Sequence, residues 1–255
     1  MHRKALTLTV CALLALTARE ASAQSVQNWI DRGYFNFNAG FESTSGTLND
    51  ATTFRLYDED GTKTVEHAVD SGAFVDFSVG ARVWGNVSVG LGFHREGTTS
   101  QAAVTATVPN PLVFNRPRNV AVVAEDLGRS ERAFHLSVGY MLPLNDKLAV
   151  HVYAGPSFFH LSQDVVSDVA FTEQPPSFAS VTATPVVTEQ ENSVTGAHFG
   201  GDVSYIFYEN ASVKLGGGAF LRWAGATAGV PMLGTTEIES DLGGLQIGFG
   251  ARVRF

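Results

Sequence analysis

Apolar residues recur at every second position through eight separate stretches of the chain. Phe35, Phe37, Ala39 and Phe41 alternate with Asn36, Asn38 and Gly40. Ala73 to Val83 repeats the pattern, and Val87, Val89, Leu91 and Phe93 follow it. The remaining stretches are Phe134 to Leu142, Leu148 to Phe158, Ala197 to Phe207, Ala211 to Trp223 and Leu245 to Phe255. A period of two belongs to a strand whose two faces meet different surroundings. The apolar parity contains no Asp, Glu, Lys or Arg in any of the eight. The opposite parity carries Glu42, Asp76, Arg82, Asp202, Lys214, Arg222, Arg252 and Arg254. A cation at the centre of a bilayer costs roughly 2–4 kcal/mol, which accounts for the exclusion if the apolar face meets lipid. The last stretch stops on an aromatic, Phe255, and so predicts lipid on that face.

Short and long connections alternate between these stretches. Gly85-Asn86, Pro143 to Asp146 and Tyr208 to Asn210 are tight, whereas 43–72, 95–131, 160–193 and 224–241 are long. Backbone groups inside lipid must be satisfied by the chain itself, which restricts spanning strands to closed rings. The pattern therefore predicts an all-β fold, an eight-stranded antiparallel up-and-down transmembrane β-barrel. Short periplasmic turns and long extracellular loops then place both termini in the periplasm. Trp84, Tyr205 and Phe207 near the turns, and Phe93, Phe158 and Trp223 near the other end, fit two aromatic girdles. Pro156 is the awkward residue, and a bulge near the upper rim is expected to accommodate it.

Residues 1–23 read as a cleaved secretory signal peptide: a basic start, an apolar run from Ala5 to Ala18 and the small-residue site Ala21-Ser22-Ala23. Cleavage between Ala23 and Gln24 leaves a single domain, 24–255, with a short periplasmic lead at 24–32 and the barrel at 33–255. It removes Arg3, Lys4, Arg19 and Glu20, moving the net charge from −8 to −10. An acidic chain of this kind is not expected to bind nucleic acid. Cys11 is the only cysteine and lies in the signal, so the mature chain has no disulfide, thiolate metal site or cysteine nucleophile.

These features resemble the small eight-stranded outer-membrane barrels of Gram-negative bacteria, the OmpA, OmpX and OmpW-like group, over residues 33–255. The ending Gly248-Phe249-Gly250-Ala251-Arg252-Val253-Arg254-Phe255 looks like the signal read by the barrel assembly machinery, with Gly248, Phe249, Ala251, Val253 and Phe255 as its positions. The resemblance implies integral residence in the outer membrane, surrounded by lipid and lipopolysaccharide. No peptidoglycan-binding domain is expected after Phe255.

Eight strands enclose an interior just filled by side chains. The eight inward charges listed above are expected to form a salt-bridged lumen network, since a buried charge must be paired. Eleven inward glycines, Gly80, Gly90 and Gly218 among them, leave volume for the alternative, a narrow OmpW-like conduit for small solutes. His94, His135, His151 and His198 also point inward but show no i,i+2 pair, so they read as structural and no metal or cofactor is expected. Residues 54–67 read as a hairpin about Asp60-Gly61, pairing Asp58 with Lys63, Leu56 with Val65 and Arg55 with Glu66. Asp58-x-Asp60-Gly61 partly matches a calcium loop, but His67 stands where the twelfth-position Glu belongs. Thr105 to Asn110, Asn119 to Ala124, Val165 to Thr172 and Ser180 to Thr188 are expected to prolong strands above the membrane.

His160 and Ser162 share the outward face at the upper rim and resemble a deacylase pair, with Asp164 or Glu173 to orient the histidine. Gln163 stands where that enzyme type has Asn, and the pair lies far from Phe255. The expected role is therefore not catalytic. Loop contacts with lipopolysaccharide, or with an extracellular host or matrix protein, fit the chain better.

Overall fold

The computed structural model describes residues 28–44, 46–233 and 237–255, so the expected cleavage site at Ala23 and Gln24 lies outside it. Its strands are β1 (Gly33–Ser43), β2 (Gly46–Leu56), β3 (Glu59–Val69), β4 (Gly72–Trp84), β5 (Val87–Val108), β6 (Arg118–Pro143), β7 (Leu148–Glu173), β8 (Val181–Glu209), β9 (Lys214–Pro231) and β10 (Glu237–Arg254). Eight of them close a ring in the order β1-β4-β5-β6-β7-β8-β9-β10, each pair antiparallel. The seam is the ladder from Tyr34↔Arg254 to Ser43↔Leu245, which joins the first strand to the last. Closure leaves no unpaired edge for lipid to face. Trp84 is 82% exposed, Phe249 69% and Ile247 60% on the outer wall, where only a hydrocarbon surrounding makes such exposure favourable.

The tight turns lie at one end of this ring, its lower end. Gly85 turns there at φ 53, a conformation glycine adopts without a Cβ penalty. At the upper end, the segments 95–131, 160–193 and 224–241 are mostly strand, with shorter connections than the sequence suggests. β5 to β8 run 22, 26, 26 and 29 residues, far beyond the roughly 9–11 needed to cross a bilayer. The four expected strand extensions are present within them. No bulge occurs at Pro156: β7 keeps register with β8 through Pro156↔Ala197, and the β6 ladder omits that position.

Beyond the lipid face the strands reverse their polarity. On β7, outward Phe158 is followed by outward His160, Ser162 and Asp164, while Phe159, Leu161 and Val165 turn inward and are buried. Ala102 and Val104 on β5, Ala183 on β8, and Ala228 and Val230 on β9 join them in one apolar core. β6 pairs with β7 only as far as Arg129↔Gln163, so its upper residues ladder with β5 alone. The ring thus opens above the membrane into two packed layers around a core like that of a water-soluble protein.

The first long connection supplies the β2–β3 hairpin, which pairs with β5 from Thr62↔Thr107 to His67↔Ala102. Its turn is centred on Tyr57-Asp58, not on Asp60-Gly61 as the sequence suggests. Tyr57 and Asp58 have φ of 54 and 61, the two positive values of a type I′ turn. Leu56 therefore pairs with Glu59 and Arg55 with Asp60. Gly61 serves packing instead: a Cβ there would lie 2.7 Å from Thr107 O and against the Phe54 ring.

Lys63 pins this hairpin to β7. Its Nζ is 2.5 Å from Asp168 Oδ1 and lies 5.2 and 5.4 Å from the stacked rings of Phe54 and Phe171. Hydrogen bonding from Lys63 holds the Asp168 carboxyl below the usual carboxylate range, against a smaller opposing effect of burial. A depressed folded-state pKa means stabilisation that is present above the unfolded value and lost as pH falls through the folded one. Amide exchange in the upper β7–β8 strands, corrected for intrinsic rates, should rise as pH falls below about 4. Lys63→Ala should flatten that response; an unchanged pH profile in the variant would contradict the assignment.

Candidate functional site

The alternation that clears charge from the outer wall drives it into the lumen. Arg252 on β10 is fully buried (0% exposed side chain) and donates from Nε to both Asp202 oxygens, at 3.2 and 3.0 Å, and from Nη2 to Oδ2. Its Nη1 reaches Asn38 Oδ1 at 2.6 Å. Asn38 in turn donates to Asp76 Oδ1 at 3.1 Å, and Asp76 Oδ2 lies 2.8 Å from Arg222 Nη2. Arg222 also donates from Nε to Gln246, and Gln246 donates to Glu42 Oε2 at 2.6 Å. Six of the eight expected network residues are thus buried in the lumen, with Arg254 held by Ser204 at 2.8 Å.

Arg82 and Lys214 are not part of that network. Arg82 is exposed and donates to Trp29 O at 2.9 Å. Lys214 Nζ sits 3.1 Å from Asp31 and 3.2 Å from Glu209 at the lower mouth. Both follow the inward parity but stand beside the tight turns, where a long side chain carries its charge out to water. The residues before β1 fold under this mouth. Trp29 packs with Tyr34 and Met141, and its N–H donates to Asn86 Oδ1 at 2.9 Å.

At the upper end of the polar lumen, Glu42 is joined by Glu96 and Glu131, all three buried. Glu131 accepts from Gly243 N at 3.0 and 3.2 Å and lies 3.5 Å from Arg129. Arg129 also donates to Gln163 at 2.7 Å and Ser240 at 3.2 Å. Sequence reading missed Glu96, Glu131 and Arg129 because it ended the third strand at Phe93 and began the fourth only at Phe134. Their inward parity with His94 and His135 is the signal that would have found them.

Glu42, His94 and Glu96 each bring a potential ligand atom within 4.8 Å of one another, the geometry of a cation site. The chemistry opposes that use. Arg222 Nη2 lies 3.2 Å from His94 Nδ1, and a guanidinium only donates, so Nδ1 accepts and Nε2 carries the proton. That protonated Nε2 faces Glu42 Oε2 at 3.1 Å and has no lone pair to offer. The other histidines are likewise engaged. Ser157 Oγ lies 2.8 Å from His135 Nδ1 and 2.9 Å from His198 Nδ1, while Ser137 meets His198 Nε2 at 3.0 Å and Ser88 meets His151 Nε2 at 3.0 Å. The strand register gathers into one belt four histidines that sequence spacing had kept apart.

Larger neighbours occupy the space beside inward glycines such as Gly90 and Gly218. A Cβ on Gly90 would lie 2.5 Å from the Tyr34 hydroxyl, and one on Gly218 would lie 2.8 Å from Arg252 Nε. Between Tyr34, Asn36, Asp76, His135, Tyr153 and Arg222 a cavity of ≈ 30 Å³ remains, room for about one water. A wider recess of ≈ 360 Å³ at the lower mouth is lined by Trp29, Lys214 and Arg254 among others.

The outward pair His160 and Ser162 does not assemble a catalytic relay. His160 Nδ1 is 3.0 Å from Ser193 Oγ, Ser162 donates to Glu189, and Asp164 accepts from Gly128 N at 3.0 Å. Glu173 pairs with Arg118 and Tyr57.

A family model described as the outer membrane protein beta-barrel domain matches residues 8–255. Among solved structures, the chain is similar to Neisserial surface protein A (NspA), at 12% identity over 88% of this chain and 97% of that one, with a TM-score of 0.42. It is similar to Ail, the attachment invasion locus protein of Yersinia pestis, solved with the heparin analogue sucrose octasulfate, at 8% identity over 87% and 99% and a TM-score of 0.37. OprG from Pseudomonas aeruginosa aligns at 11% identity over 88% and 97%, with a TM-score of 0.39. No curated protein matches.

The lumen network has a measurable consequence. Asp202→Ala would strand the buried Arg252 guanidinium without its counter-ion, at a cost of about 3–5 kcal/mol. The denaturant midpoint of the detergent-solubilised protein should fall accordingly, and Asp202→Ala with Arg252→Met should recover much of the loss. A single variant with the parent's midpoint would show that the pair is not needed.

Proposed function

This chain belongs to the outer membrane β-barrel protein family, and we propose that it is a sealed, non-catalytic barrel that displays an extended strand platform for surface contacts. In this reading the tight turns and both termini lie in the periplasm and the long strands project outside the cell. The observation that carries it is the filled interior of the described residues: ion-paired polar residues across the membrane, an apolar core above them, and a water-sized cavity among the polar groups. That filling weighs against the OmpW-like conduit. The separate partners of His160 and Ser162 weigh against a lipid A deacylase. Assembly into the membrane would use the closing strand, whose Gly248, Phe249, Ala251, Val253 and Phe255 line the β1–β10 seam or its lipid face.

The β5–β6 tip supports a contact role. Leu112, Val113 and Phe114 are consecutive and exposed, Leu112 by 61% and Phe114 by 67%, at the tip of the β5–β6 projection, away from the lower turns. Exposed apolar clusters above lipid are unfavourable in water and mark interaction sites. A partner among lipopolysaccharide, host or matrix molecules would find its apolar contact at this tip.

Two measurements test the reading. Purified protein in planar bilayers, with normal heat-modifiable migration on gels as proof of folding, should give no steady conductance; reproducible single-channel steps would overturn the sealed barrel. Leu112→Ser with Phe114→Ser should abolish adhesion of expressing cells to matrix-coated surfaces without changing barrel assembly. Undiminished adhesion would remove the tip from the contact surface.

A further inference from the structure

Two arginines face each other on the outer wall, with no counter-ion among the described residues. Arg95 on β5 and Arg132 on β6 are directly paired across the ladder and both are exposed. Among the described residues neither has an ion pair or side-chain hydrogen bond. Like charges directly opposite on one sheet face oppose each other's placement. Arg132 also faces His160 on β7, which engages Ser193 through Nδ1. Three cationic or potentially cationic side chains therefore run in one row across three strands.

The height of this row defines what it meets. Directly below it, Phe93, Phe134 and Phe158 form the last outward apolar row on the same three strands. Directly above it, Gly97, Ser130 and Ser162 begin a groove of ≈ 460 Å³ that continues over Thr99 and Gly128. Gly97 has nothing within 4 Å of a Cβ position, so the groove stays open where it meets the arginine row. Asp164 and Glu189 bound its far side on β7 and β8 and are taken up by Gly128 N and Ser162. The wall thus presents aromatic rings, then guanidinium groups, then hydroxyls, in the order lipid tail, anion, sugar.

We propose that Arg95 and Arg132, with His160, bind a phosphate of a phosphorylated glycolipid in the surrounding outer leaflet. The acyl chains would lie on Phe93, Phe134 and Phe158 and the sugar would enter the groove at Ser130 and Ser162. An anion shared between the two guanidinium groups removes their mutual repulsion and gains charge-assisted hydrogen bonds that neither arginine makes within the chain. The proposal rests on the orientation given above, and it locates one lipopolysaccharide contact on the barrel wall instead of on the loop tips.

The test uses full-length barrel in neutral detergent, titrated with bis-phosphorylated lipid A, dephosphorylated lipid A, inorganic phosphate and phosphatidylglycerol. Bis-phosphorylated lipid A should bind best, and losing its phosphates should weaken binding about tenfold. Arg95→Gln with Arg132→Gln should weaken binding of the phosphorylated form by a similar factor and leave the dephosphorylated form unchanged. Arg132→Glu places a carboxylate opposite Arg95; it should raise the denaturant midpoint while abolishing phosphate-dependent binding, which separates folding from function. Equal binding of bis-phosphorylated lipid A by parent and double variant would overturn the site. Inorganic phosphate binding as tightly as lipid A would reduce it to a free-anion site. Arginine-dependent preference for phosphatidylglycerol would place the row in the inner leaflet, overturning the orientation and not the anion chemistry.

Discussion

Every feature of this protein depends on the ladder that closes β1 against β10. In hydrocarbon an unpaired N–H or C=O costs several kcal/mol, so a sheet persists there only without edges. Ten consecutive pairs from Tyr34↔Arg254 to Ser43↔Leu245 meet that requirement. Closure then fixes the rest. Alternate residues must be apolar because they face lipid, and the intervening residues must share an interior too narrow for bulk water. Polar groups in that interior have to satisfy one another, which they do through chains such as Arg252–Asn38–Asp76–Arg222.

The same strands obey the opposite rule a few residues higher. Above Phe93, Phe134 and Phe158 the outer surface is wet, so apolar side chains move inward and build a core around Val104, Leu161 and Val165. One continuous strand therefore carries two periods of equal length and opposite phase. The reversal locates the membrane boundary more sharply than hydropathy does. It also stacks an apolar cap directly on a polar lumen, so a solute would have to cross two environments with contrary demands.

The ring was legible because its eight lipid-facing stretches keep one phase without a charged residue, and the tight turns at Gly85-Asn86 and Asn210 announce themselves. The strand lengths were not, since the reading followed a single parity and took the phase change at Phe158-Phe159 for the start of a loop. That error hid Glu96, Arg129 and Glu131. The hairpin turn went to Asp60-Gly61 because a glycine usually marks the reversal, whereas here Gly61 makes room for Phe54 and the left-handed residues are Tyr57 and Asp58. Arg82 and Lys214 have the parity of lumen residues, but parity does not report height, and height decides whether a cation is buried or reaches water. The histidine belt depends on cross-strand register, which a list of intervals along one chain does not contain.

A salt-bridged interior is not the most stable filling available, since apolar residues of equal volume often do as well or better. Here an apolar interior would erase the difference between the two faces. A strand apolar on both sides can slip by one residue without penalty, and a slip moves every side chain to the other face. The buried pairs remove that freedom because they join strands that are not neighbours. Asp76 on β4 reaches Arg222 on β9, and Asp202 on β8 reaches Arg252 on β10 across the intervening strand. A one-residue slip in any of these strands would turn an ion toward lipid and leave its partner buried alone. Gly218 adds a steric condition, since Arg252 fits only where no Cβ opposes its guanidinium. The lumen charges thus act as cross-braces that select one register. The filled lumen is the consequence of that selection, and in the proposed reading it leaves the outer wall and the projecting strands as the surfaces for binding.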